Sequence, residues 1–138
     1  MCTNVLVAVD KEDHPVGYII CATDTRKYIR NNLRIYLPRV LKQYWPPAYL
    51  IPAMCLSLSR IKEYPCHMHI DITESCQHMG IGSRLIDALI EHLKKQNFHS
   101  LAICSIDRNS PGYGFYRHYG FHEIWTLGKT LVSMAIEF

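Results

Sequence analysis

Several things are scarce in this 138-residue chain, and each scarcity removes a class of protein. No apolar run approaches the roughly 18–20 residues that a membrane-spanning helix needs, so no membrane partner is expected. The opening "MCTNVLVAVD" has no charged start, and Asp10 ends its apolar run early, so it does not read as a secretory leader. Cys2, Cys21, Cys55, Cys66, Cys76 and Cys104 form no C-x-x-C pair and keep no regular spacing. Most sit in apolar segments, which predicts small buried hydrophobes of a reducing cytoplasm rather than a disulfide framework. Lys and Arg number 15 against 12 Asp and Glu, a net charge of +3, too small an excess to predict nucleic-acid binding. Repeats and low-complexity segments are also missing. What remains is 49% hydrophobic residues in a length suited to one domain, here taken as residues 1–138.

Hydrophobic periodicity orders the chain. "NVLVAV" (4–9) and "VGYIICAT" (16–23) read as strands joined by the polar turn "DKEDHP", a hairpin. Over 24–45 the period becomes helical, with Ile29, Leu33, Tyr36, Leu37, Val40, Leu41 and Tyr44 on one face. Asp24 or Thr25 can cap its start, and Pro38 should kink it or open a second helix. Residues 46–65 predict a loop with a short helix or strand. "CHMHIDIT" (66–73) reads as a strand, 80–96 as an amphipathic helix with Ile81, Leu85, Leu89 and Leu93 inward, and "SLAICSI" (100–106) as a buried strand. "SPGYGFYRHYG" (110–120) reads as a short helix opened by Pro111 and closed by Gly120, and 121–138 as two strands turning near Gly128 and Lys129. The order β-β-α-loop-β-α-β-α-β-β predicts an α/β fold on a mixed sheet.

The chemistry concentrates at "QHMGIG" (77–82), a Gly-x-Gly between a strand and a helix. It could merely start the helix after a tight turn. A dinucleotide fold is a second reading, with Asp107 as a ribose-binding acid, but the third glycine of that fingerprint is replaced by Leu85. The third reading uses a second motif. Gln77-x-x-Gly80-x-Gly82 is followed by Asn109-x-x-Gly112-x-x-Phe115-Tyr116-x-x-x-Gly120-Phe121. Together, in this order and separation, they resemble the acyl-CoA loop and the later motif of the GNAT superfamily of acetyl-CoA-dependent N-acyltransferases. "VGYIICATDTRKY", "YWPP" and "YPCHMHIDI" also look like the bacterial branch related to the acetyltransferase-like domain of O-GlcNAcase.

The resemblance implies a GNAT acyl-CoA N-acyltransferase fold, with acetyl-CoA as cosubstrate, no metal, and a small-molecule or peptide amine as acceptor. Backbone amides of Gln77, His78, Met79, Gly80, Ile81, Gly82 and Ser83 would wrap the pyrophosphate, helped by the positive end of a helix dipole. Gly80 and Gly82 are expected because a Cβ would block that approach or forbid the dihedrals. Gln77 would order the loop by hydrogen bonding. The pantetheine arm is assigned to the strand edge at Ile70 and Ile72, with Asn109, Gly112 and Phe115 completing the cofactor site. Tyr116 resembles the phenol that protonates the leaving thiolate; the plain alternative is an aromatic of the packed helix face, as expected of Phe115 and Tyr119.

The base is less legible. Relatives place Glu, His or Tyr at positions matching Cys66, Met68 or Cys104, and none of those stands here. Asp71, His69 and Glu74 are the nearby candidates, with Asp71 first. Strand parity puts His67, His69 and Asp71 on one face, and a bulge would turn Asp71 toward substrate. His67, His69, Cys66, Cys76 and His78 admit a zinc reading, but no cysteine pair supports it. Arg26, Arg30 and Arg34 form a basic stripe, either a solvated face or an attraction for an acidic substrate or the 3′-phosphate of coenzyme A. The family's first strand and helices precede the hairpin on which this chain opens. A short member or a fragment is therefore expected, with an uncovered sheet face that favours a homodimer. The rival to an enzyme is a silent acyl-CoA-binding or partner-binding module on the same fold.

Overall fold

The computed structural model of the protein describes residues 3–28, 30, 31, 34, 35, 38 and 63–138. Six strands form one sheet in the order β1-β2-β3-β4-β6-β5. They are β1 (Thr3–Val9), β2 (Pro15–Ala22), β3 (His67–Ile72), β4 (Ser100–Asp107), β5 (His122–Leu127) and β6 (Leu131–Glu137). Helix α1 (Ile81–Lys95) precedes β4, and α2 (Pro111–Tyr119) follows it. Every pairing is antiparallel except β3 with β4. A parallel neighbour requires a crossover, and α1 supplies it. This is the mixed α/β architecture read from the sequence.

The local chemistry behaves as the residue types dictate. Asp10 closes the first hairpin by accepting from the amides of Glu12 and His14, at 2.8 and 2.9 Å. Ser110 caps α2 through Tyr113 N–H, Pro111 follows at a position that needs no donor, and Gly120 ends the helix at φ 119°. Asp24, not Thr25, caps the helical residues that follow, accepting from Lys27 N–H at 2.9 Å. Thr25 instead ties back across the fold: its amide and hydroxyl both donate to the Pro65 carbonyl, at 3.1 and 2.6 Å. Residues 25–28, 30, 31, 34, 35 and 38 are helical; the predicted apolar stripe from Ile29 to Tyr44, the kink at Pro38 and the predicted loop over 46–65 lie outside what the described residues test.

Both described helices pack on one face of the sheet. Leu85, Ile86, Leu89, Ile90 and Leu93 of α1 join Ile19, Cys21, Met68, Leu101, Ile103 and Met134 in one core. Ile86 and Ile90 broaden the stripe expected from Leu85, Leu89 and Leu93, while Ile81 is only half-buried. Two expectations fail here. β4 is buried only over Ser100–Ile103; beyond it the strand bulges, with Ser105 at φ 60°, and turns outward. With it Cys104 becomes exposed, so Cys21 and Cys66 are buried hydrophobes but Cys104 is not, and Cys76 is half-buried.

Candidate functional site

Alternation along β3 divides its residues between two faces. Thr73 N–H donates to Val16 C=O, so backbone groups of the odd-numbered residues point at β2 and those of Met68, Ile70 and Ile72 point the other way, toward β4. β3 and β4 share one register pair, His67 with Ala102, bonded from Ala102 N–H to Cys66 C=O at 2.9 Å. Beyond that vertex the strands part, and the β4 bulge carries its strand further away. The result is a gap one of whose walls is the β3 backbone edge at Ile70 and Ile72. An extended chain carrying amide groups fits such an edge as a further strand would.

At the open end of the gap, β3 runs through a short 3-10 turn (Glu74–Cys76) into Gln77-His78-Met79-Gly80. Gln77 Nε2 donates to Ile72 C=O at 3.2 Å, the loop-ordering bond expected of it. His78 and Gly80 both take positive φ, 61° and 75°. Gly80 stands at the N-cap of α1, where it offers no side-chain acceptor. The first amides of α1, those of Ile81, Gly82 and Ser83, have no intrahelical partner, and they carry the positive end of the helix dipole. This is an anion site by construction, with open space where a Cβ at Gly80 would stand.

Gly82 has a packing role as well. A Cβ built there would lie 3.1 Å from Phe115 and 3.2 Å from Ile72. The bare backbone there permits a close approach of α1 to α2 and β3. Phe115 in turn packs edge-on against Tyr116, with centroids 5.2 Å apart.

Tyr116 is the most buried aromatic of α2, 7% exposed, whereas Phe115 and Tyr119 are half-buried. Burial pushes its phenol up to about 12, so it holds its proton firmly at neutral pH. Phe121 closes the ring cluster, 5.6 Å from Tyr116, and Gly112 lies beside the Tyr116 ring edge, where an added Cβ would come within 3.6 Å. Tyr119 hydrogen-bonds Asp87 on α1 at 2.5 Å. Asn109 is engaged by the turn after β4, donating from its amide and side chain to Asp107 at 2.9 and 3.2 Å. Asp107 therefore folds the β4–α2 turn rather than binding a ribose.

The opposite face holds the titratable groups. β2 and β3 pair without a register shift, so no bulge turns Asp71; parity alone places it outward with His67 and His69. Cys66 and Met68, at the positions where relatives carry a base, are buried in the core. The neighbouring Cys66 sulfur and burial push the Cys21 thiol well above its ordinary range. One oxygen of Asp71 accepts from Ile72 N–H at 3.0 Å. Val7, Tyr18 and Asp71 stand opposite one another across three strands, and Val5, Ile20 and His69 form the next row. Tyr18 lies 6.2 Å from the His69 ring, and Tyr28 lies 5.2 Å from His67. His67 Nδ1 is buried without a partner among the described residues, and burial pulls its pKa down. A groove of about 540 Å³ opens on this face, lined among others by Val5, Val7, Tyr18, Asp71 and Glu74. Among the described residues no three of the His, Cys, Asp and Glu side chains converge as metal ligands would. Arg26, Arg30 and Arg34 are all exposed.

One feature escaped sequence reading altogether. Arg108 makes a two-pronged ion pair with Glu123, at 3.0 and 2.5 Å, and also donates to Lys129 C=O at 2.9 Å. Tyr113 donates to the same carboxylate at 2.7 Å. The clamp holds the β5–β6 hairpin to the β4–α2 turn and pulls Glu123 down to about 2.

Known proteins share this arrangement. The sequence pattern of the acetyltransferase (GNAT) family matches residues 2–121. The crystal structure of a protein called SsHAT superposes with a TM-score of 0.76 at 25% identity, covering 96% of this chain and 71% of that one. A GCN5-related N-acetyltransferase from Kribbella flavida gives 0.63 at 12% identity, covering 99% and 68%. The PaiA N-acetyltransferase from Thermoplasma acidophilum, solved in complex with coenzyme A, gives 0.62 at 15%, covering 99% and 61%. The last two likenesses concern the fold alone.

Proposed function

The chain belongs to the acetyltransferase (GNAT) family, and from that premise we propose that it transfers an acetyl group from acetyl-CoA to an amine by direct attack. The observation that carries the reading is the parting of β3 from β4 at His67 and Ala102, directly before an uncapped α1 N-terminus. A strand edge and an anion site in that order match the two chemically distinct parts of an acyl-CoA, an amide-bearing arm and a pyrophosphate.

Each residue then has a task. Amides of the 77–83 loop hold the pyrophosphate, with Gly80 supplying the left-handed turn. The β3 edge at Ile70 and Ile72 receives the pantetheine arm, and the N–H of Ile70, not that of Ile72, which Asp71 holds, polarises the thioester carbonyl as negative charge develops on its oxygen. Asp71 takes the proton of the arriving ammonium, from the groove face. The amine nitrogen bonds to the carbonyl carbon as the carbon–sulfur bond breaks. Tyr116 gives its proton to the departing thiolate, the bonded nitrogen sheds its surplus proton to solvent to leave the neutral amide, and Tyr116 is reprotonated from the same solvent. Acid and base thus work from opposite faces of the sheet, with the gap between β3 and β4 as the passage.

The test pairs two measurements on the intact protein. Calorimetry should register acetyl-CoA binding, and thiol release from acetyl-CoA should appear with at least one amine of a panel. Binding without release from any amine would replace the enzyme by a binding module; no binding would end the reading.

A further inference from the structure

The groove on the open face has a composition that selects among amines. Its nine lining residues include two carboxylates, Asp71 and Glu74, and no basic side chain. The acids stand at the end of β3 and just after it, while Val5 and Val7 of β1 form the far wall and Tyr18 lies between. The register row Val7–Tyr18–Asp71 spans two interstrand steps, about 10 Å. One Asp71 oxygen is held by Ile72 N–H, which fixes the carboxylate and leaves its other oxygen to the groove. The groove thus has a charged end beside the strand edge and an apolar end away from it.

Resting on the transfer reading above, we propose that the acceptor is a primary monoamine on an apolar, carboxylate-free body, its ammonium at Asp71 and Glu74 and its body on Tyr18, Val7 and Val5. Charge complementarity decides the first half. An ammonium meets two carboxylates with no competing cation, whereas an α-carboxylate beside the amine would face both at close range. The apolar wall decides the second half. A diamine long enough to reach β1 sets its second ammonium on valine methyls, losing hydration for no partner. A free amino acid and a polyamine are therefore both disfavoured, for different reasons.

Three amines on the same five-carbon chain test this: pentylamine, norleucine (pentylamine bearing an α-carboxylate) and 1,5-diaminopentane. Titrated into the intact protein and followed by backbone chemical shifts, pentylamine should bind at least tenfold more tightly than either of the others. In thiol release kcat/KM should rank them the same way. Val7→Lys, at an exposed position, should weaken pentylamine at least tenfold and leave acetyl-CoA affinity unchanged; Glu74→Gln should weaken it less. Equal or tighter binding of norleucine or diaminopentane, no pentylamine binding, or indifference to Val7→Lys would each overturn the proposal. Failure of acetyl-CoA to bind would instead strike the transfer reading, and the amine titration would still decide what the groove accepts.

Discussion

The two faces of β3 are built for opposite tasks, one packed against a helix and one turned to a groove. On one, Cys66 and Met68 are sealed against α1, and Ile70 and Ile72 pack at its margin. On the other, His67 and His69 lie beside Tyr28 and Tyr18, and Asp71 lines an open groove. A strand with one greasy side and one polar side is ordinary. Here the polar side carries three titratable groups in a row, and the backbone edge between the faces pairs with β4 only at His67 and Ala102. The division teaches where catalytic groups can stand: a base must be reachable, so positions 66 and 68 are closed to it and position 71 is open.

That contrast can be broken in several places. The largest effect is expected across the gap. Tyr116→Phe removes one hydroxyl and keeps the ring, so acetyl-CoA affinity should hold while turnover falls by roughly 10²–10⁴. Asp71→Asn should depress the rate most at low pH, where less of the amine is already neutral. Unchanged rates in the first variant, with normal folding, would remove the acid from the packed face.

Next comes a stability contrast within one strand. Met68→Ala should cost about 2–5 kcal/mol in urea unfolding, since Met68 is 2% exposed and its cavity cannot collapse freely. His69→Ala, one residue on and exposed, should stay within about 0.5 kcal/mol. Similar costs would erase the difference between the faces.

The two loop glycines sharpen the same line. Gly82→Val must displace Phe115 or Ile72 and should cost about 1–3 kcal/mol of stability along with acetyl-CoA affinity. Gly80→Ala meets no atom but strains a φ of 75°, a cost of about 1–2 kcal/mol. A thermal melt separates the two: the Gly82 variant should lose more.

The smallest effect is a pH slope. His67 has a folded pKa below its unfolded value of about 6.5, so the unfolded chain binds the extra proton first. Stability should therefore be full above that value and decline as pH falls through it. His67→Phe should flatten the slope in urea unfolding between about pH 7 and 5.

Periodicity and the paired motifs made much of this legible. The hairpin, α1, α2, the loop glycines and Tyr116 all follow from residues close in sequence, because helix and turn preferences are local. What stayed hidden depends on pairing. Nothing in "NVLVAV" says that Val7 stands opposite Tyr18, or in "CHMHIDIT" that Asp71 completes the row. The β4 bulge exposes Cys104 through register, not through composition. That Gly82 also makes room for Phe115, 33 positions later, shows only once α2 is packed against α1. Arg108 and Glu123 are two ordinary charges until a hairpin brings them together.

The double bond from Thr25 to Pro65 has its own consequence. It joins positions 40 apart in the chain, one just after β2 and one just before β3. Two neighbouring strands are thereby stapled at the neck of everything between them. Lengthening that stretch adds loop entropy of only about 0.6 kcal/mol per doubling, and the staple keeps the change from reaching the strands. The points where the chain leaves and rejoins the sheet are thus pinned together, so a change of length between them should leave the β2–β3 register in place.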